Sequence, residues 1–470
     1  MKTVSAAEMR ELDRRTIEEF GTPGEVLMER AARGLVEALL NLIQARQIKH
    51  PSILLIAGKG NNGGDAEVAH RILLEKGVSA ALWNVEEIDW PAASAHDFNI
   101  LVDGLLGTGS SGAPRGKFAE AIAFINRARA LKVAIDIPSG LNADTGEAQG
   151  KTVCADLTVT MGLPKTGLIR SASVEYTGSV EVVDIGIPPE YIESTKGCDE
   201  AELIAKSDVQ LPRRKRDSHK GTYGHVLLIG GAPGMTGAIA MAARAALRSG
   251  AGLVSVLTPE EVYPIVAQAA GPEVMVHPFP DLGKLTTDFS KVWKKTTAVL
   301  AGPGMGTSPE FVRQLVNTSP VPLVLDADAL CVAPEKIAAA KCPVILTPHP
   351  GEFKRLFGAP VTDRWKQARE AAEITGKIVV LKGVRTVVAA PGEKLAINST
   401  GNPGMAKGGS GDVLAGLLVG LLGQGLDPFL AAKTAVWLHG KAGDLAAAEK
   451  TESAMVATDL IEAFRALQSR

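Results

Sequence analysis

Short aliphatic runs that stop abruptly at Gly, Asp or Pro recur along this chain, and helix-like segments separate them. Examples are "SILLIAG" at 52–58, "NILVDG" at 99–104 and "HVLLIGG" at 225–231. Strands that are apolar throughout and alternate with helices indicate a parallel sheet whose two faces are both covered. We therefore predict an α/β protein. Ser5 followed by Glu8 predicts a capped helix start, and a second helix is predicted after Pro23. The stretch "TVVAAPGEKLAIN" predicts a hairpin in the second half of the chain.

The length of the chain predicts more than one domain. At 470 residues it exceeds what a single hydrophobic core usually serves. Hydrophobic periodicity is lost near "ELIAKSDVQLPRRKRDSHKGTYG", between about 195 and 220, and the aliphatic rhythm then restarts. We predict two α/β domains, 1–207 and 208–470. The basic run 213–216 is better interpreted as a solvated linker than as a nucleic-acid patch, because the rest of the chain is nearly neutral.

Composition and the N-terminal sequence narrow the function classes. A formal net charge of -2 argues against nucleic acid or an anionic membrane as the main partner. The N-terminal "MKTVSAAEMRELDRR" lacks the apolar centre of a signal peptide, and no apolar run reaches the length of a membrane span. The four cysteines lie far apart without a CxxC pair, which fits a reducing compartment. We expect a cytoplasmic protein.

The stretch "GKGNNGGD" at 58–65 directly follows the first aliphatic run. Ligands of open parallel sheets bind beyond the carboxyl ends of the strands. Glycines there allow close backbone approach and positive φ, and a helix beginning at about Ala66 would favour an anionic group. A purely structural turn is the alternative interpretation. The polar side chains of Asn61, Asn62 and Asp65 favour a ligand site, because a turn needs only one of them.

Two other strand ends in the first domain carry carboxylates. Asp103 ends "ILVD", and Asp136 ends "VAID" three residues before Ser139. A single such Asp would more often be a cap or turn residue. If the strands are neighbours, however, Asn62, Asp103 and Ser139 converge as oxygen donors suited to a hard cation such as K⁺.

The motifs "LMERAARG", "GKGNNGGDAEVA", "VDGLLGTG" and "AIDIPSGLNADTG" resemble the NAD(P)H-hydrate epimerase family over nearly all of residues 1–205. The resemblance implies a Rossmann-like parallel sheet with helices on both faces, a K⁺ site at Asn62, Asp103 and Ser139, and a catalytic Asp136 near the reacting ring. Ala66 stands where the family usually has glycine. The implied substrate-binding residues are Asn61, Asn62, Gly63, Gly64, Asp65, Gly107, Thr108, Gly109, Ser110, Ser111, Gly112 and Ala113.

The second domain concentrates its chemistry in "KGGSGDVLAG" at 407–416. A glycine-rich turn that leads into a helix presents N–H groups to an oxyanion, and Asp412 in the first turn is a candidate base. This GxGD turn resembles the anion hole of the ribokinase-like fold, in which the aspartate deprotonates an attacking hydroxyl. The four residues alone are a weak signal.

Further blocks make that resemblance more specific. They are "GTYGHVLLIGGAPGMTGA", "AGPGMG", "LDADAL", "LTPHPGEF", "LKGVRT" and "GNPGMAKGGSGD", and they are similar to the ADP-dependent NAD(P)H-hydrate dehydratase over about 207–470. The resemblance implies that Asp412 is catalytic and that Mg²⁺ accompanies ADP or ATP. The implied substrate-binding residues are Ala238, Gly304 and His349, and the implied nucleotide-binding residues are Lys382, Gly383, Val384, Arg385, Thr386 and Gly411.

Three of the residues in these blocks could have purely structural roles instead of functional ones. His349 is either a ligand residue or a satisfied loop histidine, and the prolines on both sides of it favour a site. Asp326 and Asp328 in "LDADAL" fit strand-end and helix-capping roles as well as a metal role. Cys331 stands where the family commonly continues that motif with asparagine.

Together the resemblances imply a bifunctional repair enzyme. It would epimerise the R and S forms of NAD(P)H hydrate and dehydrate the S form with ADP, releasing AMP and phosphate. Phosphorylation turns the poor C6 leaving group, hydroxide, into a good one. The first rival is a small-metabolite kinase with a nucleotide-binding N-terminal domain, and the second is a regulatory module without catalysis. We expect NAD(P)H hydrate and ADP as ligands, and a homo-oligomer.

Overall fold

The computed structural model describes residues 1–110, 112–279 and 294–468. Backbone proximity divides the chain into two units, Met1–Leu203 and Ile204–Arg470. This division falls a few residues before the boundary expected from the sequence at 207. Whether the two units fold independently remains a prediction.

The first unit is built on a parallel sheet of the order β2-β1-β3-β4-β5-β6. Since β1, β3 and β4 are neighbours, the side chains beyond their carboxyl ends meet at one edge. The predicted α/β class is confirmed for this unit. Its strands are β1 Ser52–Ala57, β2 Ser79–Asn84, β3 Ile100–Gly104, β4 Leu131–Ile135, β5 Leu157–Met161, β6 Ser179–Val183 and β7 Ala201–Leu203.

Alternate residues of β1 enter two different cores. Ile53 and Leu55 pack in the cluster that includes Leu35, whereas Leu54 and Ile56 pack in the cluster that includes Trp90. Side chains of a strand point alternately to the two faces of the sheet, so both faces are covered, as predicted.

Helices and turns of the first unit follow local signals in the sequence. Ser5 and Glu8 form the predicted capping box, with Glu8 N donating to Ser5 Oγ at 3.2 Å and Ser5 N donating to Glu8 Oε2 at 2.8 Å. The next helix begins after Pro23, also as predicted. The helices are Ala6–Glu18, Gly24–Ala45, Asn61–Glu75, Gly116–Arg127, Thr166–Ile169, Val174–Thr177 and Pro189–Ser194.

The helix after β1 corrects one expectation. It begins at Asn61 rather than at about Ala66, so the "NNGGD" residues form its first turns instead of a preceding loop. Gly63 is helical and has no positive φ, and a methyl group on it would strike Gly58 O. The glycine is needed for close packing rather than for a left-handed backbone. Ala66 is fully buried, and a methyl group at Gly104 would lie 2.9 Å from its Cβ.

The first and last residues of this unit lie side by side. Leu203 N donates to Met1 O at 3.0 Å, and Met1 N donates to Leu203 O at 2.9 Å. The path of the first unit therefore begins and ends at one place.

The second unit is also α/β, with strands in the order β10-β9-β8-β11-β12-β13-β14-β15-β16. Neighbours from β10 to β14 are parallel, and β15 and β16 form the predicted hairpin. The strands are β8 His225–Ile229, β9 Leu253–Pro259, β10 Met275–Phe279, β11 Ala298–Ala301, β12 Leu323–Leu325, β13 Val344–Leu346, β14 Ile378–Leu381, β15 Val387–Ala389 and β16 Leu395–Ile397.

The glycine-rich helix Ser410–Gly423 is almost entirely buried and packs on helix Thr236–Arg248. Gly416 allows this close contact, because a methyl group there would strike Ala242 O. Within the described parts of the chain, no helix combines the length and apolar character needed to cross a membrane. The other helices of the unit are Tyr263–Ala270, Pro309–Thr318, Pro334–Ala338, Pro350–Phe357, Arg364–Thr375, Pro428–Lys450 and Ala457–Gln468.

Two candidate active sites

A cavity of about 620 Å³ lies at the carboxyl edge of the first sheet. Six ionisable side chains line it, and the two exposed ones are Arg10 and Lys59. The other four come from two helices, the end of β4 and the loop after β5, and they are Asp13, Asp65, Asp136 and Lys165. The cavity also has an apolar part formed by Met9, Ile17, Leu27, Met28, Leu105, Phe118, Met161 and Ile185. A mostly apolar pocket with a few convergent polar groups is the usual form of a small-molecule site.

Asp136 is the centre of this polar group. It follows β4 with φ +63°, a left-handed conformation that is costly for a residue with a side chain. Lys165 Nζ donates to Asp136 Oδ1, and the lysine side chain is only 1% exposed. Thr160 Oγ1 and Met161 N donate to the same oxygen at 3.1 and 3.2 Å. The carboxylate is therefore held in one orientation at the cavity.

Two further carboxyl groups have perturbed pKa values. Burial raises the pKa of Asp65 to about 7, and the negative charges of Asp136 and Asp13 add to this effect against the opposing Lys165. Burial likewise raises the pKa of Asp13 to about 6, although Lys165 lowers it. Carboxyl groups that exchange protons near neutral pH are suited to acid–base chemistry.

The three residues expected to bind a cation lie together. Ser139 Oγ donates to Asp103 Oδ1 at 2.7 Å, and Ser139 N donates to Asp103 Oδ2 at 2.8 Å. Asn62 Nδ2 donates to Leu106 O at 3.2 Å, and Leu106 N donates to Ser139 Oγ at 2.9 Å. Burial raises the pKa of Asp103 to about 6 despite the hydrogen bonds from Ser139. Among the described residues, the hydrogen-bonding groups that act on Asp103 belong to Ser139 and Leu105, and no basic side chain is one of them.

Most of the substrate-binding residues implied for this unit line the cavity. They are Asn61, Asn62, Asp65, Gly107, Thr108, Gly109 and Ser110. Gly63, Gly64, Gly112 and Ala113 do not line it. Gly64 faces Met28, because a methyl group there would lie 2.7 Å from Met28 Cε. Ser111 lies outside the described residues.

In the second unit, Asp412 occupies the first turn of helix Ser410–Gly423, as expected from the sequence. The helix begins after Gly409, whose φ of +95° is left-handed. Burial raises the pKa of Asp412 to about 7, and the charge of Asp326 adds to this against the opposing Lys382. Near neutral pH, this carboxyl group is poised between its proton donor and acceptor forms.

Lys382, directly after β14, is the cation of this site. Its Nζ donates to Asp326 Oδ1 at 2.7 Å and lies 3.6 Å from Glu352 Oε2. Burial works to lower the pKa of Lys382, but Asp326 and Glu352 outweigh it and the pKa is raised. Thr347 Oγ1 also donates to Asp326 Oδ1, at 2.7 Å. Asp326 forms no side-chain cap and instead binds the lysine, which decides against the capping interpretation.

Two more of the expected residues of this unit lie near each other. A methyl group on Gly304, which has φ +56°, would lie 3.3 Å from Ala238 Cβ. A methyl group on Gly411 would lie 3.4 Å from Lys382 Nζ. In the loop after β11, Gly306 N donates to Asp328 Oδ2 at 2.9 Å, so Asp328 fixes that loop.

The segment 382–386 is a tight turn. Thr386 Oγ1 donates to Gly383 O at 2.8 Å, and Gly383 has a left-handed φ of +143°. Val384 is 65% exposed, whereas Arg385 is buried and its Nη1 donates to Ser399 O at 3.3 Å. Burial lowers the pKa of Arg385 to about 10.

His349 has a capping role in the structure. Its Nδ1 accepts hydrogen bonds from Gly351 N at 3.0 Å and Glu352 N at 3.3 Å, which starts helix Pro350–Phe357. The His349 side chain is 56% exposed, with Nε2 3.4 Å from Glu352 Oε1. Only Nε2 is then left to face a ligand.

Several residues of these two sites were missed by sequence reasoning. Lys165 and Asp13 carry no sequence signal, because a single charged residue in a loop or in an amphipathic helix belongs to no motif. Glu352 in "TPHPGE" has the position of an ordinary helix-capping residue, so the sequence gives no sign of its contact with Lys382. His439 lies in the middle of helix Pro428–Lys450, and its Nε2 donates to Ser410 O at 2.9 Å. Burial lowers the pKa of His439 to about 4, so it is neutral near pH 7.

Comparison with known proteins gives family matches in both units. Residues 226–466 match the family described as NAD(P)H-hydrate dehydratase, and residues 24–93 and 84–167 match the family described as YjeF-related protein N-terminus. The bifunctional NAD(P)H-hydrate repair enzyme of Moorella thermoacetica is 40% identical over 98% of this chain and 96% of its own length. The enzyme of that name from Escherichia coli is 36% identical over 88% of this chain and 84% of its own length.

The second unit is similar to a solved structure. A ribokinase-like superfamily protein from Enterococcus faecalis is 29% identical, with a TM-score of 0.50, and the match covers 57% of this chain and 96% of that chain. The fold of the second unit is thus ribokinase-like, as predicted.

Two parallel-sheet units, each with a lysine–carboxylate pair beside an aspartate of raised pKa, define a two-site α/β enzyme that acts on small molecules. The family matches then identify the enzyme family to which the chain belongs. The chain belongs to the family of bifunctional NAD(P)H-hydrate repair enzymes, with an epimerase unit and a dehydratase unit. The small-metabolite kinase alternative is not favoured.

Proposed function

We propose that the first unit interconverts the R and S forms of NAD(P)H hydrate in the cavity that Asp136 and Lys165 share. The observation that carries this proposal is the buried ion pair, which fixes the Asp136 carboxylate at the cavity in a left-handed backbone conformation. Strained, oriented polar groups in a pocket are typical of catalytic positions. The hydroxyl at C6 of the hydrate is bonded to a carbon beside the ring nitrogen, and Asp136 would exchange a proton with it.

Binding of the nucleotide part is assigned to the helix start and the loop after β3. Asn61, Asn62 and Asp65 would contact it from the first helical turns, whose N–H groups favour phosphate. The segment 107–110 would close over it from the loop. Gly63, Gly64, Gly112 and Ala113 would shape these segments without lining the cavity, and Ser111 is retained from the family resemblance alone.

Potassium binding at Asn62, Asp103 and Ser139 is supported by the chemistry of these donors. A carboxylate, an amide oxygen and a hydroxyl are oxygen ligands that suit a hard cation. A buried Asp103 without a basic partner among the described residues would be stabilised by such a positive charge. The bound ion would supply that charge and hold the loop of Leu106, which hydrogen-bonds to Ser139.

For the second unit, we propose dehydration of the S form with ADP, releasing AMP and phosphate. Asp412 would take the proton from the C6 hydroxyl as that oxygen attacks the terminal phosphoryl group of ADP, and AMP would leave. The ring nitrogen would then expel phosphate, and loss of a C5 proton would restore the dihydropyridine. The N–H groups at the start of helix Ser410–Gly423 would stabilise the phosphoryl oxygens.

Nucleotide binding is assigned to Lys382–Thr386 and Gly411, and hydrate binding to Ala238, Gly304 and His349. The closeness of Gly411 to Lys382 supports a shared phosphate site. Among the described residues, no group of three or more His, Cys, Asp or Glu side chains suits a metal ion. Mg²⁺ would therefore arrive with ADP or ATP, take phosphate oxygens as most of its ligands, and neutralise their charge.

The test of the proposed function is recovery of reduced cofactor. Mixed hydrate epimers should be converted completely to NAD(P)H with ADP or ATP and Mg²⁺, with free phosphate as product. A chain whose epimerase unit is inactive should stop after the S form is consumed. Formation of a stable phosphorylated product without recovered nicotinamide absorbance would instead support the kinase alternative, and inactivity of both units would support the regulatory one.

We also propose a cytoplasmic homo-oligomer without nucleic-acid or membrane partners. The near-neutral net charge supports the part of this proposal that concerns nucleic acid and anionic membranes.

A further inference from the structure

Asp13 is an acidic side chain of the first unit to which the family resemblance gives no role. It lies on helix Ala6–Glu18 and lines the cavity together with Asp136, which comes from the end of β4. Its Oδ1 is buried and has no hydrogen-bond partner among the described residues. A buried carboxyl oxygen without a partner is costly, so its place beside a cavity indicates that a ligand supplies the partner.

Three charged groups act on Asp13 electrostatically. Lys165 lowers its pKa, whereas burial and the negative charge of Asp136 raise it, with a net value of about 6. Asp65 shares the same cavity and interacts with Asp13 as well. Asp136 differs from Asp13 because it forms an ion pair with Lys165. The cavity thus holds one carboxylate stabilised by an ammonium group and one carboxyl group that exchanges its proton near neutral pH.

Inversion at C6 by exchange of the hydroxyl requires two proton transfers. In this route the C6–O bond breaks and a new one forms on the opposite face of the ring. The departing oxygen needs an acid, and the incoming water needs a base. When two carboxyl groups of one site differ in their charged partners, one can act as the acid and the other as the base.

This argument rests on the proposed epimerase function of the first unit. We propose that Asp13 is a second catalytic residue of the epimerase, which protonates the departing C6 oxygen while Asp136 deprotonates the water that replaces it.

The proposed steps balance. Asp13 gives its proton to the C6 hydroxyl, the C6–O bond breaks as the nitrogen lone pair forms C6=N⁺, and water leaves. Water then attacks C6 from the other face, the C6=N bond electrons return to nitrogen, and Asp136 takes the water proton. Exchange with solvent returns a proton to Asp13 and removes one from Asp136. In the opposite direction the two residues exchange roles.

The experiment compares Asp13→Asn with the wild-type full chain, using purified R hydrate. Glu11→Gln is the matched control, because Glu11 lies on the same helix but is exposed and pairs with Arg14. Dehydration of purified S hydrate by each variant reports on the integrity of the second unit, and binding of NAD(P)H to the first unit reports on its fold. Asp13→Glu serves as a second variant if the amide disturbs folding.

Asp13→Asn should lower the epimerase kcat by about 10² to 10⁴-fold, whereas Glu11→Gln should stay near wild type. The wild-type rate should fall as the pH rises through the pKa of Asp13, and this decline should be absent from the residual activity of the amide variant. Asp13→Glu should recover part of the rate. In ¹⁸O-labelled water, the product epimer should carry solvent oxygen at C6.

Two results would overturn the role of Asp13: an amide variant with normal kcat, or a slower variant with the same decline at high pH, which would make Asp13 structural. Product that retains its original oxygen would exclude the C6–O cleavage. If the wild-type chain itself fails to epimerise the hydrate, the proposed function fails instead, so the two failures can be told apart.

Discussion

At the scale of single residues, both units use the same device. A lysine beyond a strand of the parallel sheet pairs with a buried carboxylate, Asp136 with Lys165 and Asp326 with Lys382. Removing one partner of such a pair leaves an uncompensated buried charge, whereas the intact pair orients both groups. In each unit a further aspartate of raised pKa lies in the same electrostatic field, which supplies a group that can exchange protons.

Asp412→Asn tests the base of the dehydratase. The amide cannot accept the proton of the C6 hydroxyl, so we expect ADP-dependent dehydration of S hydrate to fall by about 10² to 10⁴-fold. Nucleotide binding should persist, because the amide matches the carboxyl group in size. Epimerisation of R hydrate by the same protein is the internal control. A variant that dehydrates at the normal rate would show that Asp412 is only part of a nucleotide-binding helix start.

The same substitution should also change stability. The pKa of Asp412 is raised from 3.8 to about 7 in the folded chain, so the folded state holds the proton more tightly than the unfolded state between these values. Stability from this group is therefore lost as the pH rises from about 4 to 7, and the ionised form destabilises the fold above that range. Asp412→Asn should raise the thermal unfolding midpoint at pH 8 and have less effect at pH 4.

Asp103→Asn tests the potassium site. The substitution keeps an oxygen donor but removes the negative charge, so the affinity for K⁺ should fall while the fold is preserved. Epimerisation should then require a higher K⁺ concentration than in wild type, and dehydration should be unchanged. Identical K⁺ titrations of the two proteins would rule out a cation at this residue.

At the scale of secondary-structure elements, the two units reach a glycine-rich helix start by different routes. Helix Asn61–Glu75 begins after Gly60 with an extended φ of -99°, whereas helix Ser410–Gly423 begins after Gly409 with φ +95°. The first start needs glycines for close packing, and the second needs one for its backbone conformation. Alanine at 66, in the second turn of the first helix, is therefore compatible with that helix start, whereas the second helix start depends on Gly409.

Gly409→Ala should weaken ADP binding at the second start. Its methyl group would lie 2.7 Å from Met241 Cε in a left-handed conformation that costs about 1–2 kcal/mol for a residue with Cβ. Gly425→Ala is the matched control, because Gly425 also has positive φ, beyond the other end of the helix, and nothing lies within 4 Å of its added methyl group. We expect both variants to lose stability but only Gly409→Ala to raise the Kd for ADP, measured by calorimetry. Equal Kd values would show that the start of this helix does not shape the nucleotide site.

How far the sequence predicts the structure differs between strands, helix starts and sites. Apolar runs predicted the parallel sheets, and Ser5 with Glu8 predicted a helix start, because both depend on local chemistry. The start at Asn61 was missed because Asn-Asn-Gly-Gly has low helix propensity, which tertiary packing against Gly58 overrides. Lys165 and Glu352 could not be predicted, since their partners are brought near only by the order of the strands.

At the scale of the whole molecule, the chain combines an epimerase unit and a dehydratase unit, and an exposed segment follows shortly after the division at 203. Residues 213–220 are exposed. Most residues from 204 to 212 are partly buried. Each unit has its own hydrophobic core.

Limited proteolysis should therefore cut within about 207–222 and leave two folded fragments, since domains with separate cores usually fold alone. The fragment from 1 should epimerise R hydrate, and the fragment to 470 should dehydrate S hydrate with ADP. Circular dichroism and the two activity assays on the separated fragments provide the measurement. Loss of structure in both fragments after the cut would contradict independent folding.

The hydrogen bonds between Met1 and Leu203 have a consequence for how such a chain can be assembled. A module whose first and last residues are adjacent can be fused to other proteins through a short linker without distortion of its own backbone. The same geometry makes it a natural candidate for circular permutation: linking 203 to 1 by a few glycines and opening the chain at an exposed loop should preserve the sheet order. The same geometry suits gene fusion or loss of the whole unit, since neither event would require a change in its pocket.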